Sequence, residues 1–167
     1  MRGLVTAWGF FVLLLAASMP VSGQESPAGD DIPRPNLIDQ IREDLALVET
    51  MRREARYDEG LAIAQSALRR SEAMENDPLI TESLYQISLL HYFMEAYEEA
   101  RAYMEIGLTH ARLHELETLE ADLLNAQGVL EWKQGNLSAA SAKLERALEV
   151  RQRNRQWVSM ASIANNL

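Results

Sequence analysis

The chain contains no cysteine and only eight glycines and five prolines among its 167 residues. Without cysteine it cannot form a disulfide, so a folded chain must be stabilised by packing alone. The few glycines and prolines lie mostly outside the periodic apolar segments, which favours long uninterrupted helices. An apolar content of 47% is ordinary for a globular protein and argues against disorder throughout the chain.

The sequence also has no cluster of basic residues. Its formal net charge is −9 at pH 7. An acidic chain of this kind would be repelled by phosphate groups. We therefore expect it to bind neither nucleic acid nor anionic lipid.

The N-terminal residues 1–23 have the features of a secretory signal peptide: one basic residue, Arg2, an apolar run from Leu4 to Met19, and then small residues. We predict cleavage after Gly23 and export, with the periplasm as the expected location. The alternative is an uncleaved membrane anchor, but the run is shorter than the ~20 apolar residues of a spanning helix. Residues 24–36 contain three prolines and one glycine, a composition typical of a flexible linker.

The remaining residues, 37–167, repeat with a period of 40. Five columns stay small or apolar in three successive copies: Tyr57/Tyr97/Leu137, Gly60/Ala100/Ala140, Ala64/Met104/Leu144, Ala67/Gly107/Ala147 and Leu68/Leu108/Leu148. Self-similarity at a fixed period indicates a structural repeat. We predict units at about 37–76, 77–116 and 117–155, followed by a truncated fourth unit at 156–167.

Each unit is predicted to be a pair of antiparallel helices, which makes the fold class all-α, an α-solenoid of stacked pairs. Asn36 is the expected N-cap of the first helix, with Asp39 three residues on. In the second unit Asp77 is the expected N-cap and Pro78 the first helical residue. The small residues are expected where two helices approach closely. The later helices are predicted at about 58–75, 78–94, 97–113, 118–133 and 138–153.

These units resemble tetratricopeptide repeats, in which small and large residues alternate around a tight turn. The best copy consists of Leu124, Gly128, a turn at residues 133–136, and then Leu137, Ala140, Leu144 and Ala147. The 40-residue spacing is similar to the longer variant found in kinesin light chains and in many bacterial signalling proteins. The resemblance implies a superhelical, non-catalytic scaffold that binds a protein or peptide in a groove.

In this family the first helix of each pair lines the groove. The resemblance places Leu45, Glu49 and Arg52 on that surface in the first unit. In later units it implies a peptide-binding set of Tyr85, Leu89, Tyr92, Asn125, Val129, Trp132 and Asn165. The two asparagines would hold peptide backbone, since a carboxamide both donates and accepts hydrogen bonds. The aromatic residues would form pockets, with packing between units as the alternative.

No catalytic residues, cofactor or metal site are predicted. His110 and His114 have the spacing of a metal-binding pair on one helix face, but no third ligand with a recognisable spacing follows. A solvated helix end that favours histidine is the preferred interpretation. The sequence has no phosphate-binding glycine loop and no nucleophile elbow, so we do not expect an enzyme within these residues.

Two larger contexts fit an exported scaffold. It is expected to be the N-terminal sensory or interaction region of a membrane signalling protein, of the diguanylate cyclase or histidine kinase type. The alternative is a free periplasmic adaptor that organises envelope protein complexes. A membrane contact is expected only through an uncleaved N-terminal anchor or through a segment beyond Leu167. The helix of the truncated fourth unit would lack its partner, so self-association through this open end is a further expectation.

Overall fold

The computed structural model describes residues 36–153. The predicted signal peptide, the linker before Asn36 and the truncated fourth unit with Asn165 lie outside the described residues. The described part of the chain is all-α and contains six helices: α1 (Leu37–Arg53), α2 (Tyr57–Ala73), α3 (Asp77–Phe93), α4 (Tyr97–Leu113), α5 (Glu117–Lys133) and α6 (Leu137–Arg153). The predicted helices are confirmed, with boundaries that differ by one or two residues.

The spacing of these helices is more regular than the sequence analysis predicted. Every helix has 17 residues, and the start of each helix lies 20 residues after the start of the previous one. The 40-residue period of the sequence therefore covers two helices of equal length. Position by position, the burial of residues 81–90 is identical to the burial of residues 121–130, which lie 40 residues later.

The equal spacing comes from one turn geometry that occurs five times. In each turn one residue has a positive φ, between 51° and 61° for the four non-glycine residues and 82° for the glycine. The N–H of the next residue donates to the carbonyl five residues before it at 2.8–3.0 Å, which defines a Schellman C-cap. The positive-φ residues are Ala55, Glu75, Glu95, Glu115 and Gly135.

The N-caps of α1 and α3 are asparagines. The Asn36 side chain accepts a hydrogen bond from the Asp39 N–H at 2.9 Å, which confirms the predicted cap. The prediction for α3 is wrong by one residue, because Asn76 and not Asp77 caps this helix, accepting from the Leu79 N–H at 3.2 Å. Asp77 is instead the first helical residue. Both residue types suit an N-cap, so the sequence pair Asn-Asp did not decide between them.

The helices pack in a repeat-like array. Each helix contacts the next one along the chain, and α3 also contacts α1 and α5. The odd-numbered helices therefore form a continuous row. The core lies between this row and the even-numbered helices, with fully buried side chains such as Ile41, Ile87, Leu124 and Leu130.

Small residues mark the closest helix contacts, as predicted. A Cβ added at Gly60 would lie 3.2 Å from Leu90 Cδ2, whereas a Cβ at Gly128 would lie 2.7 Å from Leu144 Cγ. Leu144 is itself only 2% exposed. The backbone of α5 at Gly128 is thus in direct contact with a buried side chain of α6, which no larger residue would permit without a shift.

A buried carboxylate connects the second and third helix pairs. Glu131 on α5 accepts hydrogen bonds from the Arg101 guanidinium on α4 and, at 2.8 Å, from the Asn136 side chain. The hydrogen bond from Arg101, followed by that from Asn136, lowers the pKa of Glu131 below its ordinary value of 4.5. The ionised form is therefore favoured in the folded state.

This network predicts a specific loss of stability in acid. Because the pKa of Glu131 is lower in the folded chain, its contribution is complete above pH 4.5 and is lost as the pH falls through the lowered folded value. We expect Glu131→Gln to lower the free energy of unfolding by about 1 kcal/mol at pH 7. The variant should also lose less stability than the wild type as the pH falls. Urea unfolding between pH 3 and pH 7 measures this effect, with the exposed Glu72→Gln as control. An unchanged acid limb in Glu131→Gln would contradict it.

Within residues 36–153, none of the helices is both long enough and apolar enough to cross a membrane.

Candidate ligand-binding groove

The exposed face of the odd-numbered helices carries most of the residues predicted to bind a ligand. On α3, Tyr85 and Leu89 are half-buried between fully buried neighbours, and Asn125 and Val129 occupy the corresponding positions of α5. Their shared spacing of four residues places each pair on one helix face. Since α3 contacts α5, these two faces lie side by side.

A cavity of about 190 Å³ opens on this face. It brings together five of the seven residues of the predicted peptide-binding set, namely Tyr85, Leu89, Tyr92, Asn125 and Val129, and also Arg52 of α1. Its other lining residues, Phe93, Met104 and Ala126, were not predicted. We define this set of nine residues as the groove. It combines aromatic and aliphatic side chains with a few polar groups, as ligand sites commonly do.

The aromatic wall of the groove is built at the C-terminal end of α3. Phe93 is 41% exposed and makes an edge contact with Tyr92, with 5.3 Å between ring centroids. It also stacks on Tyr57 of α2 at 6.0 Å. Phe93 continues the four-residue spacing of Tyr85 and Leu89, so the spacing could have identified it, but an aromatic residue at the end of a helix is a weak sequence signal.

Arg52 supplies the positive charge of the groove. Its Cζ lies 5.3 Å from the centroid of the Phe93 ring, within the range of a cation–π contact. Its Nε is buried without a hydrogen-bond partner in the part of the chain that the structure describes. Burying a donor in this way is costly, so the guanidinium is held in place by the packing around it and not by a hydrogen bond at Nε.

Two other predicted residues are placed differently by the structure. Leu45 is only 1% exposed and packs with Ile41, Ala67 and Leu79, so it belongs to the core and is not available to a ligand. Trp132 is 60% exposed and does not line the cavity. It lies one turn beyond Val129 on α5, at the outer edge of the same face.

Acidic side chains lie one turn before the groove, toward the N-terminal ends of α3 and α5. Burial raises the pKa of Glu82, and the nearby Asp122 raises it further, whereas Arg42 lowers it. Burial likewise raises the pKa of Asp122, although its ion pair with Arg151 of α6 acts in the opposite direction. Burial and then Asp122 raise the pKa of Tyr85 to about 12. Negative charge is therefore poorly solvated at this end of the groove.

Two cavities larger than the groove lie on other parts of the described surface. One, of about 630 Å³, is lined by charged residues of α4, α5 and α6 and the turn between the first two, and is open and polar. The other, of about 390 Å³, is a shallow depression along α4 that includes the exposed Ile106 and Leu113. Neither contains a residue of the predicted peptide-binding set.

No protein-family model matches this chain, and no curated protein matches it. The class of protein is therefore defined by the fold and the groove alone. For residues 36–153, it is an all-α array of packed helix pairs with a partly apolar cavity on the row of odd-numbered helices.

Proposed function

We propose that this chain is a tetratricopeptide-like α-solenoid that binds a segment of another protein in the groove. The observation that carries the proposal is the cavity between α3 and α5, because it unites five residues that the repeat register had assigned to peptide binding. Tyr85, Tyr92 and Phe93 offer flat apolar area, and the two tyrosines add polar hydroxyl groups, a composition common at recognition hot spots. Asn125 supplies a carboxamide suited to peptide backbone.

The charges around the groove favour one orientation of a bound peptide. Arg52 lies at the C-terminal end of α3, and the poorly solvated Glu82 and Asp122 lie toward the N-terminal ends of α3 and α5. Tyr92 lies ten positions after Glu82, which corresponds to about 15 Å along a helix. An extended peptide covers this length with about four or five residues.

The preferred ligand is therefore a short segment with a basic side chain at one end, apolar side chains in the middle and a carboxylate at the other end. The basic group would offset the desolvation of Glu82 and Asp122. The carboxylate would accept a charge-assisted hydrogen bond from the Arg52 guanidinium. Binding of this kind is non-catalytic and needs no cofactor.

A random peptide library displayed on phage tests this proposal. We expect selection on the full-length chain to enrich peptides with the basic–apolar–acidic order. Val129→Arg extends a long side chain into the groove, and we expect it to weaken the selected peptides at least ~30-fold, the size of a hot-spot loss of about 2 kcal/mol. Asn125→Ala should weaken them about 5-fold through loss of one hydrogen bond. Fluorescence anisotropy with synthetic peptides measures both effects.

Leu113→Ser is the matched control, since this apolar side chain is 74% exposed on α4 outside the groove. Its affinity for the peptides should equal that of the wild type. Selected peptides that bind Val129→Arg as well as the wild type would overturn the groove assignment. A selection that yields no saturable binder would overturn the proposed function itself.

The cellular context is a separate proposal. The apolar N-terminal run favours a scaffold outside the cytoplasm, as the N-terminal region of a membrane signalling protein or, as the alternative, as a free periplasmic adaptor. The gene sequence beyond Leu167 decides between them. An apolar run of ~20 residues followed by a catalytic domain supports the signalling protein, and further repeats that end in a polar cap support the adaptor.

A further inference from the structure

Three side chains capable of binding a metal meet where α3 begins and α4 ends. They are Asp77, His110 and His114, and one potential ligand atom from each lies within 4.8 Å of the others. His110 lies in the last turn of α4 and His114 is its C-cap, with 4.3 Å between the ring centroids. The sequence analysis found no third ligand for this pair because Asp77 lies 33 residues before His110, on another helix.

The capping of α3 explains why Asp77 is available for this contact. Asn76 accepts the hydrogen bond that an N-cap side chain provides, so the Asp77 carboxylate points to α4 instead. Its Oδ2 lies 2.9 Å from His114 Nδ1, and its Oδ1 lies 3.6 Å from His110 Nε2. Donors bound to one tetrahedral zinc ion at about 2.1 Å are about 3.4 Å apart. The two distances bracket this value, so small side-chain rotations suffice to admit an ion.

Thr81 fixes the tautomer of His110. The Thr81 hydroxyl donates its single hydrogen to the Asp77 carbonyl oxygen at 2.9 Å. Its oxygen is also 2.7 Å from His110 Nδ1. With that hydroxyl proton used, Nδ1 carries the proton of this second hydrogen bond, so the neutral imidazole presents the lone pair of Nε2 toward Asp77. A lone pair facing a carboxylate is unfavourable unless a proton or a metal cation lies between them.

We propose that Asp77, His110 and His114 form a binding site for a divalent transition metal, with zinc as the preferred ion. Two imidazoles and one carboxylate suit zinc and its neighbours, whereas magnesium and calcium prefer oxygen ligands. Thr81 acts as a positioning residue, because a hydrogen bond to the second ring nitrogen orients a metal-bound histidine. The three protein ligands leave a further coordination position for water or for a donor from a partner. The ion joins the first residue of α3 to the end of α4.

Zinc titration of the full-length chain, prepared without a polyhistidine tag, tests the site by calorimetry. We expect one zinc ion per chain and a rise in Tm that EDTA reverses. His110→Gln and His114→Gln should each weaken binding at least tenfold. Cobalt, used as a spectroscopic probe, should give visible d–d absorption of tetrahedral type in the wild type, and this absorption should be lost in His110→Gln and His114→Gln. Thr81→Val should reduce the affinity about 10-fold, the usual effect of losing a residue that orients a ligand.

The third histidine provides the matched control. His91 stacks on Tyr103 on another part of the surface, so His91→Gln should bind zinc as the wild type does. Circular dichroism of each variant reports on folding, and the zinc-dependent Tm shift of the wild type does not depend on any variant. Absence of zinc binding would overturn the proposal. The proposal would also be wrong if His110→Gln and His114→Gln left zinc binding unchanged, or if His91→Gln abolished it as they do.

Discussion

Leu144→Ala is expected to destabilise the fold by about 2–5 kcal/mol and Gly128→Ala by about 1–2 kcal/mol, with the double variant clearly less unstable than their sum. Leu144 is almost completely buried, so its truncation leaves a cavity. The alanine methyl group at position 128 would lie 2.7 Å from Leu144 Cγ and 2.8 Å from its Cδ2. Alanine gains about 1 kcal/mol of helix propensity over glycine, which offsets only part of this overlap.

The double variant isolates the contact between the two residues. Once Leu144 is truncated, both atoms that overlap the new methyl group are absent, and that methyl group fills part of the cavity. We expect a favourable coupling energy of about 1–2 kcal/mol from a double-mutant cycle measured by urea unfolding. Strict additivity would show that the helix approach at Gly128 is not what restricts this position to glycine.

Gly60→Ala is the matched control for helix propensity. Its added methyl group would lie 3.2 Å from Leu90 Cδ2, the end of a side chain that can shift by a few tenths of an ångström. The propensity gain and the tighter contact then nearly cancel, so we expect a change within about 0.5 kcal/mol. The contrast between positions 60 and 128 separates close packing from the general effect of replacing glycine.

The second large effect concerns the turns, where four glycine substitutions together are expected to stabilise the fold by about 2–4 kcal/mol. The left-handed conformation costs an L-residue about 1–2 kcal/mol, and glycine avoids this cost but loses about 0.5–1 kcal/mol through the entropy of the unfolded chain. The net gain is about 0.5–1 kcal/mol at each turn. Turns in separate places should contribute additively. The substitutions are Ala55→Gly, Glu75→Gly, Glu95→Gly and Glu115→Gly.

Gly135 allows the reverse experiment in the same chain. A Cβ at this position would have no neighbour within 4 Å, so Gly135→Ala changes only the backbone conformational energy at φ 82°. We expect it to lose about 0.5–1 kcal/mol. Ala102→Gly, at an exposed position inside α4, should lose about 1 kcal/mol and shows that glycine is not stabilising in general. If Gly135→Ala and the four turn substitutions changed the free energy of unfolding in the same direction, the explanation from positive φ would be wrong.

Sequence patterns located the helices well because their signals are local. Asn36 forms the predicted cap, and the alternation of small and large residues marks the helix contacts that the structure contains. The positive-φ turns were harder to find, because only Gly135 among the five carries the residue type that such a turn favours. The regular 17-residue helix length therefore became visible only in the structure.

The groove was partly predictable for a related reason. Tyr85, Leu89, Asn125 and Val129 lie on one face of helices whose periodicity the sequence reveals, so the repeat register placed them together. Phe93 continues this face to the end of α3, where the signal is weak, and Met104 reaches the groove from an even-numbered helix. Leu45 shares the register but is covered by α2 and α3, and no helical periodicity shows how deeply a side chain is covered.

The sequence by itself determined the all-α class, the helix boundaries and the period, since caps, turns and apolar spacing act over a few residues. Tertiary structure alone decided which side chains meet across helices. It placed Arg52 over Phe93, and Asp77 beside the two histidines at the C-terminal end of α4. Such contacts depend on how far each helix is rotated and shifted against its neighbour. The packing of the whole core sets this rotation and shift, so they cannot be read from a short stretch of sequence.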